Sequence, residues 1–290
     1  MLNNLKLTLA ALLAAATVSA CAPNAQNTQA SIAQEQQQAA RFVSQLRAKD
    51  KLVTDKNLNN YVGGVVQRVA KQRPPGSVPL KTYIVKDADV NAFTPGGGYV
   101  FFNAGMLAAM ENEAQLASVA AHEIAHIDRG HITAGRNTRT GVQVGAAAAA
   151  IGGALLGVPG QVTDLAVGLG ANYAVNSFSR SQETDADNTG IRYLAAAGYN
   201  AAEGAKSFDV LQRLYGNKTG AAAAFFSSHP PSAERKANLT AQAQQLGATK
   251  GRIASKTYDS KTRKIRREVL KFYESQGRDR EAAQIRRNLR

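Results

Sequence analysis

Ala120-Ala121-His122-Glu123-Ile124-Ala125-His126-Ile127 is the stretch on which the reading of this chain turns. It contains the pattern H-E-x-x-H. On an α-helix, residues four apart stand about 40° from one another around the axis, so they share a face. His122 and His126 can therefore each offer an imidazole nitrogen to one metal ion. Glu123 projects to one side of that pair, where it can take a proton from water rather than bind the metal. Zinc lowers the pKa of its water to about 7, so a nearby carboxylate completes a hydrolytic site at neutral pH. One Zn2+ per chain is the cofactor this pattern predicts.

The flanking sequence favours that reading over a chance match in an Ala-rich helix. Asn112 is placed to cap the helix, with Gln115 three residues on as its capping-box partner. Leu116, Val119, Ala120, Ile124 and Ile127 give a mostly apolar face. Ionisable groups among small apolar residues are costly unless they have partners. The predicted metal helix runs from about Glu113 to Arg129. His131 follows it. The metzincin pattern H-E-x-x-H-x-x-G-x-x-H would need glycine at position 129 and histidine at 132, where Arg129 and Ile132 stand. On a continuing helix His131 lies about 140° round from His126. A structural or supporting role is expected for it, not ligation.

A two-histidine zinc site needs a third protein ligand and an open position. Ser179 to Asp187 opens a helix with acids, and Glu183 and Asp187 sit four apart on one face. Glu183 is the expected ligand. Asp187 is expected to accept from the outer nitrogen of a ligating histidine. Acids at a helix start also favour the dipole, but that does not explain this pairing. His229 is biased to an extended conformation by the proline after it. A histidine held in such a loop can face a metal cleft, but taken alone it reads as an ordinary surface histidine.

The rest of the chain supplies a setting. Met1 to Ala20 has one lysine, no acid and an apolar run from Leu7 to Val18, as a secretory signal does. Val18-Ser19-Ala20-Cys21 has the form of a bacterial lipobox, and Cys21 is the only cysteine of the 290 residues. Acyl chains on Cys21 would give stable anchoring. Ala22 after it favours, by similarity to Gram-negative lipoproteins, the outer membrane, facing the periplasm. Formal net charge is +14, and residues 250–290 hold 14 Lys/Arg against 5 Asp/Glu. An exported lipoprotein has little occasion to meet nucleic acid. Anionic envelope components are better partners for a basic tail, and a solvated helix face explains it more simply still.

In chain order the expected parts are a signal peptide (1–20), a lipidated cysteine with a flexible tether (21–38), a metallopeptidase domain (39–248) and a basic helical tail (249–290). Residues 39–72 read as two helices broken near Lys51 to Asp55. Short strands are expected at Leu80–Lys86, Val90–Phe93 and Tyr99–Phe102, with a tight loop over Thr94–Gly98. Gly141 to Val175 reads as two buried helices, with a membrane-dipping hairpin as the alternative. The fold class is α+β: mostly helical and zincin-like, with a small sheet beside the active-site helix.

Four segments together resemble the HtpX-like gluzincin metallopeptidases, whose superfamily includes the CAAX prenyl endoproteases. They are Asn91-Ala92-Phe93, His122-Glu123-Ile124-Ala125-His126, Glu183-Thr184-Asp185-Ala186-Asp187, and His229-Pro230-Pro231 with Arg235. The likeness covers roughly residues 40–245. It implies zinc held by His122, His126 and Glu183, with Glu123 as general base. It also implies that His229 and Arg235 lie near the substrate carbonyl and help hold the oxyanion. Asn91 would sit in the strand region flanking the cleft, where an extended peptide docks by strand addition. Membrane-embedded members have several clear spans, which are missing here. The chain therefore reads as the compact core on a lipid anchor, acting on periplasmic or outer-membrane proteins. A non-catalytic chaperone or scaffold for outer-membrane assembly is the alternative.

Overall fold

The structure, a computed structural model, describes residues 25–134, 178–215 and 220–290. The signal peptide, Cys21, and the two helices expected over Gly141–Val175 lie outside these residues.

Tyr99-Val100-Phe101-Phe102-Asn103 forms β3, the central strand of a three-stranded sheet ordered β1-β3-β2. β1 (Lys81–Val85) pairs with it in parallel and β2 (Ala92–Gly96) antiparallel. Successive side chains of a strand point to opposite faces, so an unbroken apolar run needs cover on both. Val100 and Phe102 enter the main core, whereas Tyr99 and Phe101 enter a second cluster with Phe42 and Leu46. That second face is covered by helix α1 (Ala25–Ala48). Phe101 stacks on Phe93 at 5.0 Å and meets Phe42 edge-on at 5.3 Å.

Two expectations change here. The stretch expected as a tether is helical from Ala25 onward, and Glu35 within it is buried. Its Oε2 accepts from the Gly97 amide at 2.8 Å and its Oε1 from the Thr133 hydroxyl at 2.6 Å. The loop expected over Thr94–Gly98 is shorter, because β2 continues to Gly96 across a bulge after Phe93. Gly97 has φ +62°, and a Cβ there would lie 2.6 Å from the Gln36 amide nitrogen. Only glycine lets the turn sit this close under α1.

The break near Lys51–Asp55 is as expected. Helix α2 (Lys56–Ala70) starts at Asp55, whose side chain accepts from Asn57 and Leu58 amides. Leu58, Val62, Val65, Val66 and Val69 form its buried face. Helix α3 (Ala104–Ala109) is wholly buried and leads to α4 (Glu113–Asp128), the metal helix. Asn112 caps α4 by accepting from the Gln115 amide at 2.9 Å. The reciprocal half of the capping box is not made: Gln115 Oε1 accepts from the Glu111 amide instead. The remaining helices among the described residues are α5 (Arg180–Ala196), α6 (Ala202–Tyr215), α7 (Ala223–Ser228), α8 (Ala233–Gln245), α9 (Ser255–Ser275) and α10 (Asp279–Asn288).

The basic C-terminal stretch is not a separate tail. Tyr258, Ile265, Val269, Tyr273, Ala282 and Ile285 belong to the main core. Arg266 is fully buried and donates to the Met110 carbonyl at 2.8 Å, while Asn288 donates to the Ala108 and Ala109 carbonyls. The end of α3 is thus satisfied by residues 150 or more positions later. Among the described residues no helix is long and apolar enough to cross a membrane.

Candidate metal centre

Helix α4 carries His122, Glu123 and His126 into the interior, and all three are buried. Helix α5 lies across it and brings Glu183 and Asp187. The start of α5 is held by a full capping box: Ser179 accepts from the Gln182 amide, and the Gln182 side chain accepts from the Ser179 amide. His229 ends α7, its backbone turned out of helix before Pro230. Arg235 lies in the first turn of α8, behind the Ser232 cap.

These elements converge. His122, His126, Glu183 and His229 each place one ligand atom so that all lie within 4.8 Å of one another. His122 Nε2 is 3.1 Å from His126 Nε2 and 3.1 Å from His229 Nδ1. Glu183 Oε1 is 3.3 Å from His126 Nε2 and 3.0 Å from His229 Nδ1, and its Oε2 is 3.5 Å from His122 Nε2. Ligands about 2.1 Å from one tetrahedral ion stand about 3.4 Å apart, so these spacings suit a single zinc. Among the described residues, both oxygens of Glu123 and Oε2 of Glu183 are buried without a hydrogen-bond partner. Three imidazoles and a carboxylate converging in the interior fit a cation bound among them. Two histidines and a carboxylate from this group would make a catalytic zinc set.

The outer shell supports this assignment. His122 Nδ1 faces Asp187 Oδ1 at 2.9 Å. Arg235 forks onto Asp187, with Nε to Oδ2 at 2.7 Å and Nη2 to Oδ1 at 2.9 Å. Its Nη1 is 2.6 Å from Glu183 Oε2, an ion pair without the alignment of a hydrogen bond. The guanidinium is therefore engaged with the acids of α5. His229 does lie at the centre, with Nε2 3.4 Å from Glu123 Oε1, but its Nδ1 stands among the ligand atoms. Asn91 precedes β2. Its carbonyl accepts from the Asn103 amide at 2.9 Å, and its side-chain oxygen is buried without a partner.

Burial disfavours charge on His122, but Glu183 and Asp187 outweigh it and push that imidazole up to about 10. Burial holds His126 well below the ordinary histidine value. Burial also raises Glu123, against the pull of His229 and His122. For Glu183 burial is outweighed by His229 and His122, and its carboxyl is lowered. Glu183 is thus held ionised beside the histidines, and Glu123 takes up a proton more readily than a solvated carboxylate.

Two residues enter that the sequence did not assign, Phe178 and Asp185, beside His131, for which it expected a supporting role. Phe178 stacks on His126 at 3.7 Å. His131 Nδ1 lies 2.9 Å from His126 Nδ1, and its Nε2 lies 3.2 Å from Asp185 Oδ2. The signal for Asp185 was present as the middle acid of Glu183-x-Asp185-x-Asp187. Phe178 has none.

Residues 55–243 match the sequence model of peptidase family M48. The chain is 30% identical over 165 residues to the putative beta-barrel assembly-enhancing protease of Vibrio cholerae, covering 55% of this chain and 34% of that protein. It is 28% identical over 174 residues to the beta-barrel assembly-enhancing protease of Escherichia coli, covering 59% and 36%. It is 32% identical over 164 residues to the metalloprotease LoiP of Escherichia coli, covering 56% and 61%. The match thus spans about a third of the assembly-enhancing proteases and more of LoiP.

Proposed function

Because the chain belongs to peptidase family M48, we propose that it is a zinc endopeptidase of the bacterial cell envelope. Its substrates in this reading are misfolded or unassembled periplasmic and outer-membrane proteins, taken in extended conformation. The observation that carries the reading is the convergence of His122, His126 and Glu183 beside a buried Glu123 whose oxygens, among the described residues, make no hydrogen bond. A passive scaffold would have no use for a carboxylate so placed, since leaving it there costs free energy. The names of the relatives support the envelope setting.

His122, His126 and Glu183 would hold the zinc. Bound there, it would supply Lewis acidity, polarising a carbonyl and acidifying water. Glu123 accepts the proton as water attacks the scissile carbonyl and delivers it to the departing amine. Burial raises its pKa above the ordinary carboxylate value, which favours its taking up that proton. Asp187 orients His122, and Arg235 fixes Asp187 and Glu183, so Arg235 acts through the acids it holds. His229, facing Glu123, is the group nearest to where an oxyanion would develop. β2 is an edge strand, and among the described residues no strand pairs with its outer side. An extended substrate would add there, with Asn91 at the strand entrance.

Acylated Cys21 would anchor the protein in the outer membrane, facing the periplasm. Exposed Arg263, Lys264, Arg267 and Lys271 on α9 would meet anionic envelope components. The test is Glu123→Gln. The variant is expected to keep one zinc per chain and to lose casein cleavage by at least 100-fold, as removal of a general base does. Cleavage by the variant at the wild-type rate would sink the reading.

A further inference from the structure

We propose that His131 and Asp185 form a relay that fixes the ring and the tautomer of His126, making both of them positioning residues of the metal centre. The inference rests on the zinc reading above and extends it to side chains outside the ligand set.

The two helix histidines face the cluster alike, each with Nε2 inward. Their outer nitrogens are held differently. His122 Nδ1 meets a carboxylate, Asp187, directly. His126 Nδ1 meets another imidazole nitrogen, His131 Nδ1, at 2.9 Å. Two nitrogens at that distance share one proton, so one donates and the other accepts. A neutral His126 that offers its Nε2 lone pair to a metal carries its proton on Nδ1. His131 Nδ1 is then the acceptor, and the proton of His131 sits on Nε2. That nitrogen faces Asp185 Oδ2 at 3.2 Å, and the same oxygen accepts from Arg129 Nε at 2.6 Å. Every donor in the chain from His126 through His131 to Asp185 thus has an acceptor, and the direction is set by ligation at His126.

The backbone explains how His131 reaches this place. Gly130 has φ +66°, which ends α4, and a new turn begins at His131. On a continuing helix the ring would point away. Asp185 sits midway between Glu183 and Asp187 on α5. One run of three acids therefore supplies a ligand, a direct brace for one histidine and an indirect brace for the other.

The test is zinc affinity, read by competition with a chromogenic chelator, on the full chain with wild type alongside. His131→Leu removes the acceptor, and a 10- to 100-fold loss of affinity is expected, the usual cost of losing a partner behind a metal ligand. His131→Asn can restore an acceptor toward His126 and should recover most of that loss. Asp185→Ala, at a partly exposed position, should lose several-fold. Circular dichroism of the zinc-free proteins checks folding, and Asp185→Ala carries the test if His131→Leu does not fold. Wild-type affinity in folded His131→Leu, or in Asp185→Ala, overturns the relay while leaving the peptidase reading standing. A folded wild type that binds no zinc overturns both.

Discussion

Gly190 of α5 lies directly against the backbone of Ala121 on α4: a Cβ at Gly190 would stand 3.0 Å from the Ala121 carbonyl carbon and oxygen and 3.1 Å from the His122 amide nitrogen. The neighbouring atoms are main chain, so they cannot rotate away. The two helices that carry the ligands are therefore kept close by the absence of one methyl group. Gly190→Ala would gain up to about 1 kcal/mol of helix propensity but meet an overpacking cost of about 1–3 kcal/mol. The expected net is a modest loss of stability and a measurable fall in zinc affinity, because His122 moves relative to Glu183. Gly190→Val should be worse in both, by thermal unfolding and chelator competition.

Glu113 opens α4 and collects Tyr61 at 2.7 Å, Tyr199 at 2.8 Å and Arg252 at 2.7 Å. Burial would raise its carboxyl, but these donors outweigh burial and hold it below the ordinary value. A depressed folded pKa means that the unfolded chain binds more protons in acid. The contribution is therefore full above the unfolded glutamate value of about 4.3 and is lost as pH falls through the folded value. Glu113→Gln should cost about 2 kcal/mol at pH 7, the scale for hydrogen bonds to a charged group. The gap to wild type should close on acidification below about pH 4. A gap that is constant with pH in denaturant titrations would count against this account.

What the sequence could reveal depended on spacing within one element. His122 with His126 and Glu183 with Asp187 are four-residue pairs on helices, and the helix period alone puts each pair on one face. The run from Tyr99 to Phe102 announced a strand. The angle read for His131 assumes a helix that Gly130 in fact ends, although its supporting place beside His126 agrees with the expectation. Asp185 could not be told from an acid that serves the helix dipole. The charges of residues 249–290 hid an apolar stripe, Tyr258, Ile265, Val269 and Tyr273, at helical spacing. The polar run before Gln38 hid Glu35, whose partners lie 62 and 98 residues away and leave no local trace.

Arg266 and Arg263 are three residues apart on α9 and should behave oppositely. Arg266 is fully buried, lies over Tyr258 at 5.1 Å and donates to Asp259 and to the Met110 and Asn288 carbonyls. Arg266→Ala leaves an acid and two carbonyls short of donors as well as a void, and should cost about 3–5 kcal/mol. Arg263 is exposed, and Arg263→Ala should change stability by less than about 0.5 kcal/mol. Removing residues 250–290 should for the same reason unfold the domain, so any envelope role of this basic surface must be read from exposed charges alone. Thermal unfolding of the two point variants checks the contrast.

Glu35 decides whether the polar segment before Gln38 is a free tether or part of the domain. Its carboxylate joins the Gly97 amide of the turn after β2 to the Thr133 hydroxyl beyond the metal helix. Glu35→Ala leaves a buried amide and a hydroxyl without their partner, at about 1–3 kcal/mol for such a group. For a domain of this size each kcal/mol lowers the unfolding temperature by about 2–4 °C, so a fall of several degrees is expected. Glu35→Gln keeps one acceptor oxygen and should recover part of it. The same variants should expose the peptide bonds of residues 25–38 to limited proteolysis, since α1 would lose a contact that holds it on the glycine turn. An unchanged unfolding temperature and unchanged cleavage for Glu35→Ala would mean that α1 rests on the sheet through Phe42 and Leu46 alone.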